Sequence, residues 1–528
     1  MKKKYLLLYV IIGSFVYACT DDSEPEVIPP LVQEEPSSFE VKIDSVMSTG
    51  VVISWSESFD PQEQSITYDL FLENEMVESG LSARTYKFTE LNLATAYSGY
   101  INAKDSDGNT TTADFSFTSV ANASPSTFEI ESISSDNISA VVQWTKAIDP
   151  EEEAVSYTIL LDGEMKEEGY LFEILQLTGL KAATEYSLQI IASDVNGNQT
   201  NLNTTFSTAN GIYDGDVSFS SQQGVDFFGN QGYIQITGNL TIRSFSFQSD
   251  ITDLSALHTL KEINGHVDIE NMNSLVDLSG FHVEKIGKYF RIKRNRSLVS
   301  LKGLDSLKTV LGGFEIEANN ELNAIDHLNN LETVGNHLSI KSNYKITRIE
   351  SFNKLSSIRD MSIYNNITLE RIIGFQSLKV IDGNLRINDN FEISVIDAFT
   401  NLARVGGIFF SDTKITNINN LSSLIWVGGD LSIEQNPLLQ NIDGLSAVEE
   451  IEYGSLYIST NPEIINLDAL TNLHTIGATL SIGNNTKLSD FCGLRNAMQG
   501  FVPSAVYRII NNQYNPTIEE IANGQCKL

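Results

Sequence analysis

The chain has little histidine, cysteine and positive charge for its 528 residues. Its six histidines and three cysteines do not lie at the spacings of a zinc site. No histidine accompanies a serine or cysteine nucleophile motif, and no glycine-rich phosphate loop occurs. Acidic pairs are frequent, but 68 acids produce such pairs by chance. We therefore expect no metal site, no cofactor and no enzymatic activity.

The shortage of basic residues also limits the partners. The chain carries 34 Lys and Arg against 68 Asp and Glu, a net charge of −34. Such an acidic surface argues against nucleic acid and against non-specific adhesion to anionic lipid. Apolar residues make up an ordinary 41%, so cores can form, and the length requires several domains.

The N-terminus has the pattern of an export signal. Lys2, Lys3 and Lys4 precede an apolar stretch at residues 5–18, which is too short to span a bilayer comfortably. Ala18 stands directly before Cys19, which resembles a bacterial lipobox. The resemblance implies removal of residues 1–18 and lipidation of Cys19. An ordinary secretory signal with a chance cysteine is the alternative.

The residues after Cys19 indicate a destination. Asp21, Asp22 and Glu24 resemble the signal that sends lipoproteins of Bacteroidota to the outer face of the outer membrane. We expect a lipid-anchored protein of the outer membrane, exposed at the cell surface, with the periplasmic face as the alternative. Residues 19–35 are acidic and rich in proline, as in an extended tether.

Two cysteines remain, Cys492 and Cys526, both near the C-terminus. An exported protein matures in an oxidising compartment, where cysteines pair. We predict a disulfide between them that closes the terminal cap of the last domain.

Residues 36–120 and 121–209 are a duplication. Six residues of the first segment recur in the second segment 89 positions later, among them Trp55, which recurs as Trp144. Apolar residues alternate with polar ones as in strands, which favours β-sandwiches. The early tryptophan and a tyrosine-corner pattern (Leu91 with Tyr97, Leu180 with Tyr186) resemble fibronectin type III domains. We expect the two modules to act as spacers.

Each module ends in a turn rich in Asp, Asn and Gly, at residues 105–109 and 194–198. A calcium loop of the EF-hand type needs a glutamate at its twelfth position, where these segments have Ser116 and Thr205. Tight hairpin turns demand the same residue types, so we interpret both segments as turns.

From residue 210 to the end, apolar residues return about every 24 positions, which predicts a β-solenoid of 11 to 12 coils. Each coil begins with two apolar residues at a spacing of two and continues with apolar residues at a spacing of three. The predicted strands begin near Leu240, Val267, Phe290, Phe314, Leu338, Met361, Leu385, Ile408, Leu431, Leu456 and Leu480, with an irregular one near Val506. The chain is therefore predicted to be predominantly all-β.

An asparagine follows five positions after the start of most coils. A buried amide there would bond to backbone groups of its own and adjacent coils, so we predict a structural ladder. Its members are Asn295, Asn319, Asn343, Asn366, Asn390, Asn436, Asn461 and Asn485. The Gly-x-Leu-x-Ile-x-x-Asn runs, as at residues 383–390, resemble the receptor L domain, a leucine-rich solenoid. The resemblance implies a recognition role.

Side chains beside the apolar residues of each strand should point outward. Among them are Arg243, Asp268 and Glu315, together with eight residues that we select as candidate ligand-binding residues. These eight are Tyr289, Arg291, Lys293, Lys341, Tyr364, Arg386, Phe409 and Tyr457. Aromatic and basic groups suit sugars or peptide side chains. The competing interpretation is that they only pair along the sheet.

These observations favour a surface-anchored protein that binds a glycan or a protein outside the cell. One alternative is an accessory lipoprotein that captures glycan for a polysaccharide uptake system. Another is a structural or cell–cell adhesion protein.

Overall fold

The computed structural model describes residues 34–47, 50–244, 249–500 and 506–528. The predicted signal peptide, Cys19 and nearly all of the tether lie outside this part of the chain. Two β-sandwiches are followed by a long β-solenoid, as predicted. Within the described residues, no helix combines the length and apolar character that crossing a bilayer requires.

The first sandwich packs a three-stranded sheet against a four-stranded one. In spatial order the strands of the smaller sheet are Val41–Val46, Val51–Trp55 and Thr85–Phe88; those of the larger are Glu75–Leu81, Thr67–Leu72, Ala96–Lys104 and Thr110–Thr118. Trp55 and Tyr68 meet edge to face in the core, with ring centroids 5.5 Å apart. Alternate residues of each strand face this core, which explains the period of two in the sequence.

The second sandwich repeats this arrangement. Its smaller sheet contains Ile174–Thr178, Ser139–Trp144 and Ile130–Ser135, and its larger one Glu164–Tyr170, Ser156–Leu161, Glu185–Ser193 and Gln199–Ser207. Both tyrosine corners are formed: the hydroxyl of Tyr97 accepts from the N–H of Asn92 at 2.8 Å, and that of Tyr186 from Lys181 at 2.7 Å. The prediction of fibronectin type III-like sandwiches is confirmed.

The Asp-rich turns are closed by their own backbone. One carboxylate oxygen of Asp105 accepts from the N–H groups of Asp107, Gly108 and Asn109, and the other from the Asn109 amide at 2.7 Å. Asp194 makes corresponding bonds to Asn196 and Asn198. These carboxylates therefore act as turn-forming acceptors.

Each coil of the solenoid contributes one leading strand, and these strands pair in parallel and in register. Within the described residues they are Val217–Phe219, Leu240–Arg243, Val267–Glu270, Phe290–Lys293, Phe314–Glu317, His337–Lys341, Asp360–Tyr364, Val380–Asn388, Arg404–Ser411, Leu431–Glu434, Leu456–Ser459, Leu480–Gly483 and Tyr507–Ile510. Coils are named below after the residue at which the sequence predicts the start of the strand, for example Leu385 or Ile408. The strand at Val217 was not predicted, since the coil around it lacks the usual offsets.

Short strands build the remaining sides of each coil. One set, near the end of each coil, comprises Ile212–Tyr213, Gln235–Ile236, Glu262–Ile263, Lys285–Ile286, Thr309–Val310, Thr333–Val334, Ser357–Ile358, Trp426–Val427, Glu450–Ile451 and Thr475–Ile476. The other set is Ala324–Ile325, Arg348–Ile349, Arg371–Ile372 and Val395–Ile396. Strands Val380–Asn388 and Arg404–Ser411 join a short strand to a leading strand. Short 3-10 helices complete several coils: Ser255–Leu257, Asn419–Leu421, Asp443–Leu445, Asp468–Leu470 and Cys492–Leu494.

The predicted apolar residues form one continuous core through the solenoid. Leu385, Ile387 and Ile393, for example, are fully buried. Aromatic rings stack from coil to coil, as between Phe352 and Phe375 at 4.9 Å. Glycine permits the close approach of neighbouring coils: a Cβ on Gly303 would lie 1.8 Å from the carbonyl oxygen of Leu278.

The asparagine ladder is also present. The backbone N–H of Asn343 donates to Oδ1 of Asn366 at 3.0 Å, and Nδ2 of Asn343 donates to the carbonyl of Ile316 at 2.9 Å. The chain of amides stops at Asn390, because the Ile408 coil has Thr413 at this position. It resumes where the Thr413 hydroxyl donates to Oδ1 of Asn436 at 2.7 Å. At the C-terminal end Asn512 joins the ladder.

Both ends of the solenoid are covered. At the first coil, helix Gln222–Gly229 buries Val225 and Phe228, and the amide of Asn137 in the second sandwich donates to the carbonyl of Gln231 at 2.8 Å. At the other end, a disulfide joins Cys492 to Cys526, beside helices Arg495–Gly500 and Ile518–Ala522. The disulfide prediction is confirmed.

Candidate functional site

The outward side chains of the leading strands form one long surface, here called the leading face. The strand register arranges them in rows that run across the coils. One row contains Thr241, Asp268, Arg291, Glu315, Ser339, Ser362, Arg386, Phe409, Ser432, Tyr457 and Ser481; a second contains Arg243, Glu270, Lys293, Glu317, Lys341, Tyr364, Asn388, Ser411, Glu434 and Ser459. Seven of the eight candidate residues lie in these rows, and Tyr289 lies just before its leading strand.

The N-terminal half of the leading face is a network of ion pairs. Signs alternate from Arg243 through Glu270, Lys293 and Glu317 to Lys341 in the second row. Nζ of Lys293 lies 3.1 Å from Glu317, and Nζ of Lys341 lies 3.4 Å from the same carboxylate. Since each cation already faces a carboxylate, cross-strand pairing describes these residues well.

Tyr289 has both ring faces covered. The imidazole of His266 stacks on it with centroids 3.5 Å apart, and the guanidinium carbon of Arg291 lies 3.8 Å from the ring centroid. Two groups this near the centre cannot share one face, so they lie on opposite sides. Arg291 also pairs with Asp268 at 2.8 Å. Tyr289 therefore presents only its edge to a ligand.

An open cleft of about 480 Å³ lies beside Tyr289, bordered by Arg291, Gly313, Glu315 and His337. It exists because Gly313 has no side chain between the Tyr289 and His337 rings; a Cβ there would lie 2.3 Å from the His337 imidazole. The charges around the cleft are internally compensated, as Glu315 contacts His337 at 3.1 Å and Lys293 at 2.5 Å.

Burial affects the ionisation of the carboxylates in this network. Burial raises the pKa of Glu315, but the contacts with Lys293 and His337 outweigh it and hold the pKa below the ordinary value. For Asp268, burial dominates and raises the pKa despite Arg291. Burial, followed by the Lys288 charge, lowers the pKa of His266. These pKa shifts belong to groups that are part of the ion-pair network. They do not single out an unpaired side chain that could act as a general acid or base.

The C-terminal half of the leading face is different. Arg386 is exposed and its guanidinium carbon lies 4.0 Å above the Phe409 ring of the next coil. Among the described residues, no carboxylate lies within ion-pair distance of Arg386. Serines occupy the flanking positions, Ser362 and Ser432. Arg386 therefore keeps donors available for a ligand.

The remaining candidates border this half. Tyr364 is half-buried, with the Lys341 ammonium 5.9 Å from its ring centroid. Tyr457 is half-buried between Ser432 and Ser481 of the adjacent strands. The structure thus divides the predicted residues into a charge-paired group around Lys293 and a less charged group around Arg386.

Sequence reasoning missed a second cluster, which lies at the bends before the leading strands. It comprises Arg404, Trp426, Glu452 and Tyr453 and is here called the Trp426 cluster. The Arg404 guanidinium lies 4.1 Å from the Trp426 ring, and the Trp426 indole N–H donates to Glu452 at 2.8 Å. Next to Glu452, Tyr453 is 77% exposed. Coil length is the signal that could have found it, since the bend after Ile451 holds four residues where neighbouring bends hold two or three.

No group of three or more His, Cys, Asp or Glu side chains that could hold a metal ion occurs among the described residues.

No protein-family model matches the chain, and no curated protein matches it either. Several solved structures are similar over about a third of its length. A two-domain fibronectin type III segment of chicken tenascin is 16% identical, with a TM-score of 0.19, and covers 33% of this chain and 100% of its own. Fibronectin(III)-like modules of Clostridium thermocellum CbhA are 17% identical, with a TM-score of 0.16, and cover 32% and 95%. The FN1–FN3 domains of chicken CNTN1 are 13% identical, with a TM-score of 0.17, and cover 33% and 67%.

The assignment of the two modules as fibronectin type III-like comes from their own strand order. The described residues therefore form two fibronectin type III-like sandwiches followed by a long solenoid, an architecture that does not by itself determine a function.

Proposed function

We propose that this chain is a non-enzymatic lipoprotein of the bacterial cell surface that binds an extracellular glycan or protein through its leading face. The solenoid would serve as the recognition domain, in line with its resemblance to receptor L domains. The two sandwiches would hold it away from the membrane, and the lipid on Cys19 would fix it there.

The observation that carries this proposal is the Arg386–Phe409 pair. A guanidinium stacked on an aromatic ring is held in place, so less freedom is lost when it binds a partner. Arg386 is exposed and lacks the carboxylate partner that Arg291 and Lys293 have. A group whose only role was cross-strand pairing would face an acid, as Arg243 faces Glu270.

The long parallel sheet supports the same proposal. Its outward rows continue over many coils, so an elongated ligand could contact several strands at once. Ser362 and Asn388 near Arg386 add a hydroxyl and an amide group that can bond to a polar ligand.

The test is a glycan and protein array probed with the purified full chain and with the double variant Arg386→Ala, Phe409→Ala. We expect the double variant to lose at least about tenfold in affinity for whichever ligand the native chain binds, because both members of an interface anchor are removed.

The matched control is Tyr344→Ala with Arg371→Ala. This pair also removes one aromatic and one arginine, but Arg371 lies in the separate short-strand sheet of the solenoid. Equal affinities of the Arg386 variant and the native chain would exclude the leading face. Absence of any ligand on the array would exclude the binding role altogether.

A further inference from the structure

The Trp426 cluster lies where the bends before the leading strands change in length from coil to coil. Between the short strand and the leading strand, the Leu385 coil has only Gly406 and Gly407, and the Ile408 coil has Gly428, Gly429 and Asp430. The Leu431 coil has four residues, Glu452 to Ser455, which include the highly exposed Tyr453. The first two bends therefore form a floor of four glycines and one aspartate, and the third places the exposed Tyr453 at its end.

The Trp426 ring at this floor is held in place by polar contacts. Trp426 packs over Gly428, since a Cβ there would lie 2.5 Å from the ring. Arg404 stacks on the indole, and the Glu452 carboxylate accepts from the indole N–H. Interaction with the same carboxylate raises the pKa of the Tyr453 hydroxyl. Glu452 thus contacts the Trp426 indole and is the neighbour in sequence of Tyr453, which belongs to the following coil.

We propose that Arg404, Trp426, Glu452 and Tyr453 form a binding site for a sugar ring of a neutral polysaccharide. This site lies outside the leading face of the proposed function. A pyranose presents apolar C–H faces that suit an aromatic surface, with hydroxyl groups at its rim that both donate and accept. Arg404 supplies donors beside Trp426, and Glu450, directly across the strand pair from Trp426, supplies an acceptor.

The charges around Trp426 favour a neutral polysaccharide over an acidic one. Glu450 lies across the strand pair from Trp426, Glu452 accepts from its indole N–H, and Glu449 precedes Glu450 in sequence; the one cation that stacks on the ring is Arg404. This excess of negative charge repels a carboxylated or sulfated polysaccharide, but it does not oppose an uncharged one.

The position of the Trp426 cluster also suits a polysaccharide that extends beyond one sugar ring. Arg404 and Phe409 lie on the same strand, Arg404–Ser411, five residues apart. An extended backbone of that length spans at most about 18 Å. A polysaccharide seated on Trp426 could therefore continue across Gly406 and Gly407 toward Arg386 and Phe409.

The experiment is affinity electrophoresis of the full chain in gels that contain xylan, β-glucan, mannan, starch, polygalacturonate or gelatin. We expect retardation by at least one neutral polysaccharide, none by polygalacturonate, and a loss of affinity of about tenfold or more in Trp426→Ala and in Tyr453→Ala. Tyr453 is so exposed that its truncation leaves the fold intact, which keeps the test valid if Trp426→Ala misfolds. Tyr344→Ala, an exposed aromatic in another part of the coil, is the control.

Each other result overturns the inference in a recognisable way. Binding to a neutral polysaccharide that survives Tyr453→Ala and Trp426→Ala but fails in the Arg386, Phe409 variant would leave the proposed function standing without this site. Binding only to gelatin would replace the sugar by a protein ligand, and binding only to polygalacturonate would contradict the charge argument. Retardation by none of the six probes would remove the neutral glycan as the ligand.

Discussion

At the residue scale, the asparagines of the ladder show how one side chain stabilises two coils. Asn343 donates through Nδ2 to Ile316 of the preceding coil, while its Oδ1 accepts from the backbone N–H of Asn319 at 3.0 Å. It is fully buried, so water cannot replace either partner. The amide thereby satisfies backbone groups that the turn would otherwise leave unpaired.

Replacing Asn343 by Leu should lower the free energy of unfolding by about 1–3 kcal/mol, because buried backbone groups lose their partners. Equilibrium unfolding in urea measures the change. Asn320→Leu is the control, since Asn320 is exposed one position after the ladder residue Asn319. Equal stability of the two variants would contradict a structural role for the buried amide.

The residue scale also shows where sequence reasoning ended. The ladder asparagines were predictable because each returns at a fixed offset in an otherwise apolar pattern. The partners of Arg291 and Lys293 were not, because the choice between ligand contact and cross-strand pairing depends on side-chain conformation. Asp268 and Glu315 were recognised as outward-facing, but only the structure places them at 2.8 Å and 2.5 Å from those two cations.

At the scale of the element, the C-terminal cap explains how the last coil is closed. The strand Tyr507–Ile510 ends the sheet, and helix Ile518–Ala522 packs beside helix Arg495–Gly500 and buries Ile521 in the solenoid core. Its N-terminus carries a capping box, in which the Thr517 hydroxyl accepts from the Glu520 N–H at 3.2 Å. The disulfide holds this segment to Cys492, so the exposed end of the core is covered.

The double variant Cys492→Ser, Cys526→Ser should unfold more easily by about 3–4 kcal/mol in the chain-entropy model, as the disulfide closes a loop spanning 34 residues. Thermal unfolding with and without a reductant measures this. The reductant should destabilise the native chain and leave the double variant unchanged. A native chain that is insensitive to complete reduction would refute the stabilising role.

Elements were predicted best where the period was strict. The strands from Val267 to Leu480 follow from the apolar offsets, whereas Val217–Phe219 lies in a coil that is partly helical and aromatic. The Trp426 cluster escaped notice for a related reason. Its residues lie in the bends, where the pattern carries polar residues and glycine and where only a change in coil length marks a special position.

At the scale of the whole molecule, attachment to the membrane remains a prediction from the N-terminal sequence. Cys19→Ala should release the protein from the membrane fraction and abolish labelling by radioactive palmitate, because several acyl chains are needed for a stable anchor. Thr20→Ala, which leaves the cysteine in place, should keep both properties. Membrane retention of the Cys19→Ala protein would show that lipid on this residue is not the anchor.

The threonine that interrupts the asparagine ladder has a mechanical consequence. Amide-to-amide bonding runs unbroken on either side of Thr413, but Asn390 and Thr413 do not continue it. Separating the coils at this point would break no amide bond of the ladder, but it would have to break the longest strand pairing of the described solenoid, in which Val380–Asn388 pairs with Arg404–Ser411 over seven residue pairs. The seam between the Leu385 and Ile408 coils, which both proposed binding sites cross, is therefore held by extended backbone pairing in place of the side-chain ladder.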